Sequence, residues 1–358
     1  MAAHKNNKLM IRHGTSLELP LEHQLSYLTP VKDFFVCNSG SSPAISRDEF
    51  TLKVWGNGVS RELSLGYADL AAMAQSKVAA VIECAGNHRA LFQAVDGKRI
   101  ETPAGTAELI WSTGAVGMAE WEGVPLATVL QEAGVSDATV HVCATGSDTD
   151  SIEGHVQIPL PLHKAMHKDT LLALKMNGQL LTRDHGYPVR VLVPGWIGAY
   201  SVKWVQNIQV SLEKIWVRRN TESYVMMGEH WPAELYSPAK GMPLTELNIK
   251  SALALGWHAT LSAGAHRLHG FARSPGQRIA KVEWRANGEG CWQQAKLCGS
   301  NEVYGWVRFE IDWHATAGEH TIMTRATDEA GRTQPHSVPF NTAGYLYNAT
   351  FPHPIKVT

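Results

Sequence analysis

Cys84 ends the apolar run Val81-Ile82-Glu83-Cys84, and the chain then turns through Gly86-Asn87 into His88-Arg89. A thiol at a strand end, beside a tight turn and a cation, can be a packed core residue, a nucleophile or a soft-metal ligand. A second concentration of chemistry lies between residues 176 and 204. There His185, Arg190 and Lys203 fall within nineteen residues, among apolar segments and glycines. Three potential cations around the Pro194-Gly195 turn make a site for an anionic phosphate, and separately solvated faces are the plain alternative. His163 and His167, four apart in "LHKAMHKD", could pair on a helix face. They lack the glutamate of the HExxH zinc motif, so surface exposure is the simpler reading. No GxGxxG follows a strand, no GxxxxGK[ST] occurs and no GxSxG elbow is present. Nucleotide binding and serine hydrolysis therefore lose their usual support.

The elements that must position these residues are mixed. "FTLKVWG" alternates like a strand, "GYADLAAMAQ" has helical spacing, and "KVAAVIECAG" is a strand and turn that delivers Cys84. "VPLATVLQEAG" predicts a short amphipathic helix ending at Gly134. "ATVHVCATG", "DTLLALKMNGQ" with its Asn-Gly turn, "YPVRVLVPG" and "VKWVQNIQVS" predict further strands. From about Leu244 the character changes to short alternating strands between glycine turns, the pattern of a β-sandwich. Residues 1–29 read as a polar, irregular segment broken by Pro20, with Pro30 just beyond, and Val217 to Pro243 read as a weakly patterned linker. The expected division is 1–29, a domain at 30–243 and a domain at 244–358.

The 358 residues suit two domains, and 44% hydrophobic with 18% charged residues is ordinary globular composition. A net charge of −1 gives no basic field for nucleic acid, and no apolar run has membrane-spanning length. The opening "MAAHKNNKLMIRHG" lacks the apolar core of a secretory signal. Five cysteines, Cys37, Cys84, Cys143, Cys291 and Cys298, include no CxxC pair. They predict no disulfide framework, zinc ribbon or c-type haem site.

"ECAGNHR" resembles the cysteine motif of the sulfite oxidase family of molybdenum enzymes. Blocks at 111–134, 141–150 and 158–166 follow in family order, and residues 176–204 are similar to the family's most specific block. "GFARSPGQRIAKVEW", "CWQQAKL" and "FNTAGYLYNA" resemble its immunoglobulin-like dimerisation domain. The likeness runs collinearly over roughly residues 30 to 350. It implies an α+β molybdopterin-binding domain followed by an immunoglobulin-like β-sandwich. It implies a molybdenum–molybdopterin cofactor with Cys84 as the protein's metal ligand. Arg89 would draw an oxyanion to the site and Trp111 would line it. Phe35, Asn38, Asp148, His185, Arg190, Ser201 and Lys203 match positions that hold the cofactor.

The resemblance also implies two-electron oxo transfer, sulfite to sulfate, with electrons leaving to an external acceptor such as a cytochrome c, and a homodimer. A sulfane dehydrogenase-like enzyme, another oxo-transfer enzyme and a non-catalytic relative are the alternatives. The compartment stays open: periplasmic if a leader is removed from a precursor, otherwise cytoplasmic. Two departures stand out. In "FFVCNSG", Cys37 occupies the place of a family arginine and Ser39 that of a histidine, so the pocket is expected to lose a cation. In "EGHVQIPL" no tyrosine precedes the Ile-Pro-Leu block. Gly154 and His155 stand there instead, and His155 or Tyr200 could donate a hydrogen bond in its place.

Overall fold

The structure, a computed structural model, describes residues 8–101, 110–149 and 154–358. At its start, β1 (Ile11–His13) and β2 (Ser16–Glu18) pair as an antiparallel hairpin, and Ser16 through Leu21 are buried. The expectation of an irregular first segment is therefore corrected from residue 8 onward; residues 1–7 lie outside the described residues. Strands of three residues are too short to show a period, and buried Glu18 interrupts the apolar pattern. Its carboxylate accepts the backbone N–H groups of Ser112 at 3.1 Å and Gly114 at 3.0 Å.

The chain continues through β3 (Thr51–Trp55), β4 (Leu63–Gly66), α1 (Tyr67–Ala72), β5 (Ser76–Glu83), α2 (Ala90–Ala94) and β6 (Val116–Pro125). Then come α3 (Leu126–Glu132), β7 (His141–Gly146), β8 (Gln157–Pro161), α4 (Leu162–Ala165), β9 (Leu171–Met176), β10 (Gln179–Leu180), β11 (Arg190–Leu192) and β12 (Val205–Ser211). These strands form two sheets, β10-β9-β6-β5 with β11 beside β9, and β4-β3-β12-β7-β8. In β3 the buried Leu52 and Val54 alternate with exposed Thr51, Lys53 and Trp55, the period of a half-buried strand. α3 buries Leu126, Val129 and Leu130, spaced as one helical face. The β9–β10 hairpin turns at Asn177 and Gly178, with φ of 51° and 74°, as the Asn-Gly pair predicts.

Residues 217–243 are not a plain linker. A single π-helical turn, Arg219–Ser223, buries Arg219, Asn220 and Ser223, and β13 (Val225–Met226) pairs with β14 (Met242–Pro243). One turn and two-residue strands carry no readable period, which is why the sequence pattern looked weak.

The remaining strands are β15 (Lys250–Leu253), β16 (Ala259–Leu261), β17 (Gly264–Arg273), β18 (Ile279–Ala286), β19 (Gln293–Gln294), β20 (Lys296–Cys298), β21 (Trp306–Ala315), β22 (Gly318–Asp328) and β23 (His353–Val357). They make two sheets, β15-β17-β21-β20 and β16-β23-β22-β18-β19, a sandwich as expected. Val282, Phe309, Ile311, Ile322 and Ile355 are among the apolar residues between them. A separate apolar cluster joins the two halves, with Val81, Leu91, Phe92 and Met118 packed with Phe271, Trp306, Tyr347 and Phe351. The chain also returns to the first half, where Ala343 and Tyr345 enter its core.

Candidate active site

β5 ends where its interior pairing with β6 ends, and Cys84 follows directly. The Cys84 N–H donates to Ala115 O at 3.0 Å, and the Asn87 N–H returns to Cys84 O at 2.9 Å. The Asn87 side chain fixes the turn from both sides. Its Oδ1 accepts from Ala115 N at 3.2 Å and its Nδ2 donates to Glu83 Oε1 at 3.1 Å. The Arg89 guanidinium folds back over Gly86, where an added Cβ would lie 2.1 Å from it and displace it. The Cys84 thiol is thus held by backbone and buried amides, as a rigid ligand must be.

Cys84 lines a cavity together with Cys37, Ser39, Phe35, His185, Arg190, Ser201, Lys203, Arg219 and Tyr224. His185, Arg190 and Lys203, the three potential cations of residues 176–204, are brought together, although not by the Pro194-Gly195 turn, which packs toward Tyr304. β11 and the short turns flanking it carry them. Arg190 donates to His185 O at 3.1 Å and to Ser201 O at 2.9 Å. Lys203 donates to Asp184 O at 3.1 Å and to Asn38 Oδ1. His185 Nε2 donates to Val31 O at 3.2 Å, and its ring meets Phe34 edge-on. Asp148 accepts from Val156 N at 3.2 Å.

Burial pushes Arg190 down to about 9 and Lys203 down to about 7, the latter helped by Arg190 beside it. Two cations so depressed gain strongly from a bound anion. Cys37 and Cys84 line the same cavity and act on each other's thiols. The neighbouring Cys84, assisted by Lys203, Arg219 and Arg89, draws Cys37 down to about 6, whereas Cys37 and burial push Cys84 up.

Other sequence-predicted residues sit differently. Arg89 is buried outside the cavity lining, with its guanidinium 5.1 Å from the Tyr345 ring centre. Trp111 is fully buried behind Phe35, their ring centres 6.5 Å apart. Tyr200 donates to Leu244 O at 2.8 Å, away from the cavity, and His155 is exposed. Neither supplies the donor expected of it. His163 is exposed and His167 lies beyond the four-residue α4, so they share no helix face. The sequence reading missed Arg219 and Tyr224. Their signal was present in "WVRRNTESY", an arginine pair beside a tyrosine, inside the stretch taken for a linker.

The description "Oxidoreductase molybdopterin binding domain" matches residues 39–216, and "Mo-co oxidoreductase dimerisation domain" matches residues 242–358. Chicken sulfite oxidase (Gallus gallus) is 33% identical over 340 residues, covering 90% of this chain and 72% of that protein. The chain belongs to the sulfite oxidase family. Mitochondrial sulfite oxidase of the rat (Rattus norvegicus) is also 33% identical, covering 90% of this chain, and the chain spans 60% of the rat protein's length. The crystal structure of the sulfane dehydrogenase SoxCD from Paracoccus pantotrophus superposes with a TM-score of 0.79 at 24% identity. It covers 95% of this chain and 84% of that one, and shows the shared fold.

The cofactor of this sulfite oxidase family domain is molybdenum–molybdopterin, and the residues lining the cavity fit it. Arg190 Nε and Asp148 Oδ2 are buried on the cavity without a hydrogen-bond partner among the described residues. A polar pterin with a phosphate tail offers an acceptor to the first and donors to the second. Cys84 supplies the soft sulfur donor that molybdenum suits.

Proposed function

We propose that the protein is a molybdenum-dependent oxidoreductase that performs two-electron oxo transfer on a small sulfur oxyanion, sulfite to sulfate, and passes the electrons to an external acceptor. One observation carries this reading: a rigidly held thiol, Cys84, faces the same cavity as the buried Arg190 and the half-buried Lys203. When bound, the molybdenum–pterin group supplies the oxo transfer itself. Cys84 holds the metal. Arg190 and Lys203 hold the phosphate, while Asn38, Asp148, His185 and Ser201 orient the pterin. Phe35, backed by Trp111, forms the apolar wall that keeps water away from the reacting sulfur. Arg89 places a positive charge beside the Cys84 sulfur, where it favours the thiolate. A homodimer through the second domain and a cytochrome c as acceptor complete the reading.

Metal and pterin analysis followed by sulfite-dependent reduction of ferricytochrome c or ferricyanide tests it. Sulfite turnover in proportion to molybdenum content is expected. A fully loaded protein inert toward sulfite and toward other sulfur oxyanions would exclude it.

A further inference from the structure

We propose that Arg219 is the cation that holds an anionic substrate in this cavity, and so sets its preference for oxyanions over neutral sulfur compounds. The inference rests on the oxo-transfer reading for the word substrate, and on the geometry alone for anion holding.

The sequence expects a cation to be lost at position 37. The structure places one in the same cavity from another part of the chain. Arg219 lines the wall with Cys37 and Cys84, and is 6% exposed. Its NH2 donates to Ser39 Oγ at 2.7 Å, two residues from Cys37. Its NH1 donates to the Tyr224 hydroxyl at 3.4 Å, and its guanidinium carbon lies 5.4 Å from the Tyr224 ring centre. The Tyr224 ring stacks on Tyr345, with centres 5.7 Å apart and planes at 23°. The Tyr345 hydroxyl in turn donates to Ser223 O. Arg219 is therefore fixed by a π-helical turn, two hydroxyls and an aromatic stack, and not by a flexible stem. Single π turns of this kind concentrate at functional sites.

The chemistry follows from the groups. Arg190 and Lys203 donate to His185, Ser201, Asp184 and Asn38, whereas Arg219 donates to Ser39 and Tyr224 on the same cavity as Cys37 and Cys84. A planar guanidinium binds two oxygens of a tetrahedral or pyramidal oxyanion and leaves its sulfur unobstructed. Tyr224 is a positioning residue: its ring keeps the guanidinium in the wall. The ligand class is a small sulfur oxyanion, with sulfate as its non-reacting analogue.

The experiment uses the molybdenum-loaded protein and the variants Arg219→Met, Arg219→Lys and Tyr224→Phe. Sulfite kinetics and calorimetric titration with sulfate are measured at matched molybdenum content. Arg219→Met is expected to raise the sulfite KM and the sulfate Kd about tenfold or more, the weight of one charge-assisted bond, with kcat near wild type. Arg219→Lys, which keeps the charge but not the fork, recovers part of the loss. Tyr224→Phe, which keeps the ring, shifts both quantities less than Arg219→Met. Unchanged KM and sulfate Kd in a fully loaded Arg219→Met protein would overturn the proposal and leave the oxo-transfer reading standing. Arg219-dependent sulfate binding in a wild-type protein that oxidises no sulfur oxyanion would do the reverse. Loss of molybdenum from both Arg219 variants would assign Arg219 a structural role and also overturn the proposal.

Discussion

The Glu83 carboxylate meets the Lys250 ammonium at 2.8 Å, joining the residue before Cys84 to the second domain. Arg273 Nε reaches the other oxygen, and all three groups are buried. The β-sandwich thereby holds the strand end that presents the Cys84 thiol. A buried pair with a third charge is costly to open, because removing one partner leaves the others unpaired in low dielectric.

Glu83→Gln should destabilise the protein by about 3–5 kcal/mol, since Lys250 and Arg273 stay buried without their counter-charge. Chemical denaturation measures this, and molybdenum content should fall with it. The two cations hold Glu83 far below the usual carboxylate range. Its contribution is therefore present above the unfolded carboxylate pKa and is lost as pH falls toward its lower folded value. A loss under 1 kcal/mol in the variant would show that the clamp is weak.

His88 should set part of the acid sensitivity. Burial, then the Lys250 charge, hold its pKa well below 6.5, with Glu83 opposing and Arg273 and His353 adding to the depression. The unfolded chain takes up a proton near 6.5 that the folded site refuses, so stability should fall as pH drops below that value. His141, His167, His269 and His353 shift the same way, with burial as the first cause in each. His88→Asn, whose side chain tolerates the observed φ of 71°, should flatten the decline in melting temperature between pH 7.5 and pH 5.5. Identical slopes for the two proteins would remove His88 from the account.

Cys84→Ser should fold normally and lose oxo transfer. Its turn is held by Asn87 and backbone bonds and not by the sulfur, whereas a hydroxyl is a poor ligand for a soft metal site. Sulfite turnover per molybdenum atom is the measurement, and wild-type turnover would remove Cys84 from the mechanism.

Arg190→Ala and Lys203→Ala should lower molybdenum and pterin content, with near-normal activity per bound metal. Each removes a charge-assisted bond to the phosphate. Full occupancy with a raised sulfite KM would reverse the assignment.

Cys37→Arg, which the sequence alone suggests as a repair, should not improve sulfite binding. Arg219, Lys203 and Arg89 already act on the Cys37 site, so a further guanidinium adds repulsion and bulk beside Cys84. A higher KM and a lower melting temperature are expected; a tenfold lower KM would show that the site still has room for a cation.

The strand, helix and sandwich pattern was legible because its carriers are periodic, as in β3 and α3. The cradle was legible because His185, Arg190 and Lys203 lie close in sequence. Arg219 was hidden by distance: it joins Cys37, 182 positions earlier, through a single turn with no period. Glu18 was hidden for a different reason. A buried carboxylate that serves backbone N–H groups looks, in sequence, like a solvated charge.

The Leu346 N–H donates to Ala85 O at 2.8 Å, and Tyr345 packs against Arg89 and Tyr224. The turn that carries Cys84 is therefore closed by residues made about 260 positions later. Chains emerge from the ribosome in order, and early domains ordinarily fold first. Here the contacts that Tyr345 and Leu346 make with the Cys84 turn form only after the second domain has been synthesised, so the turn gains them last.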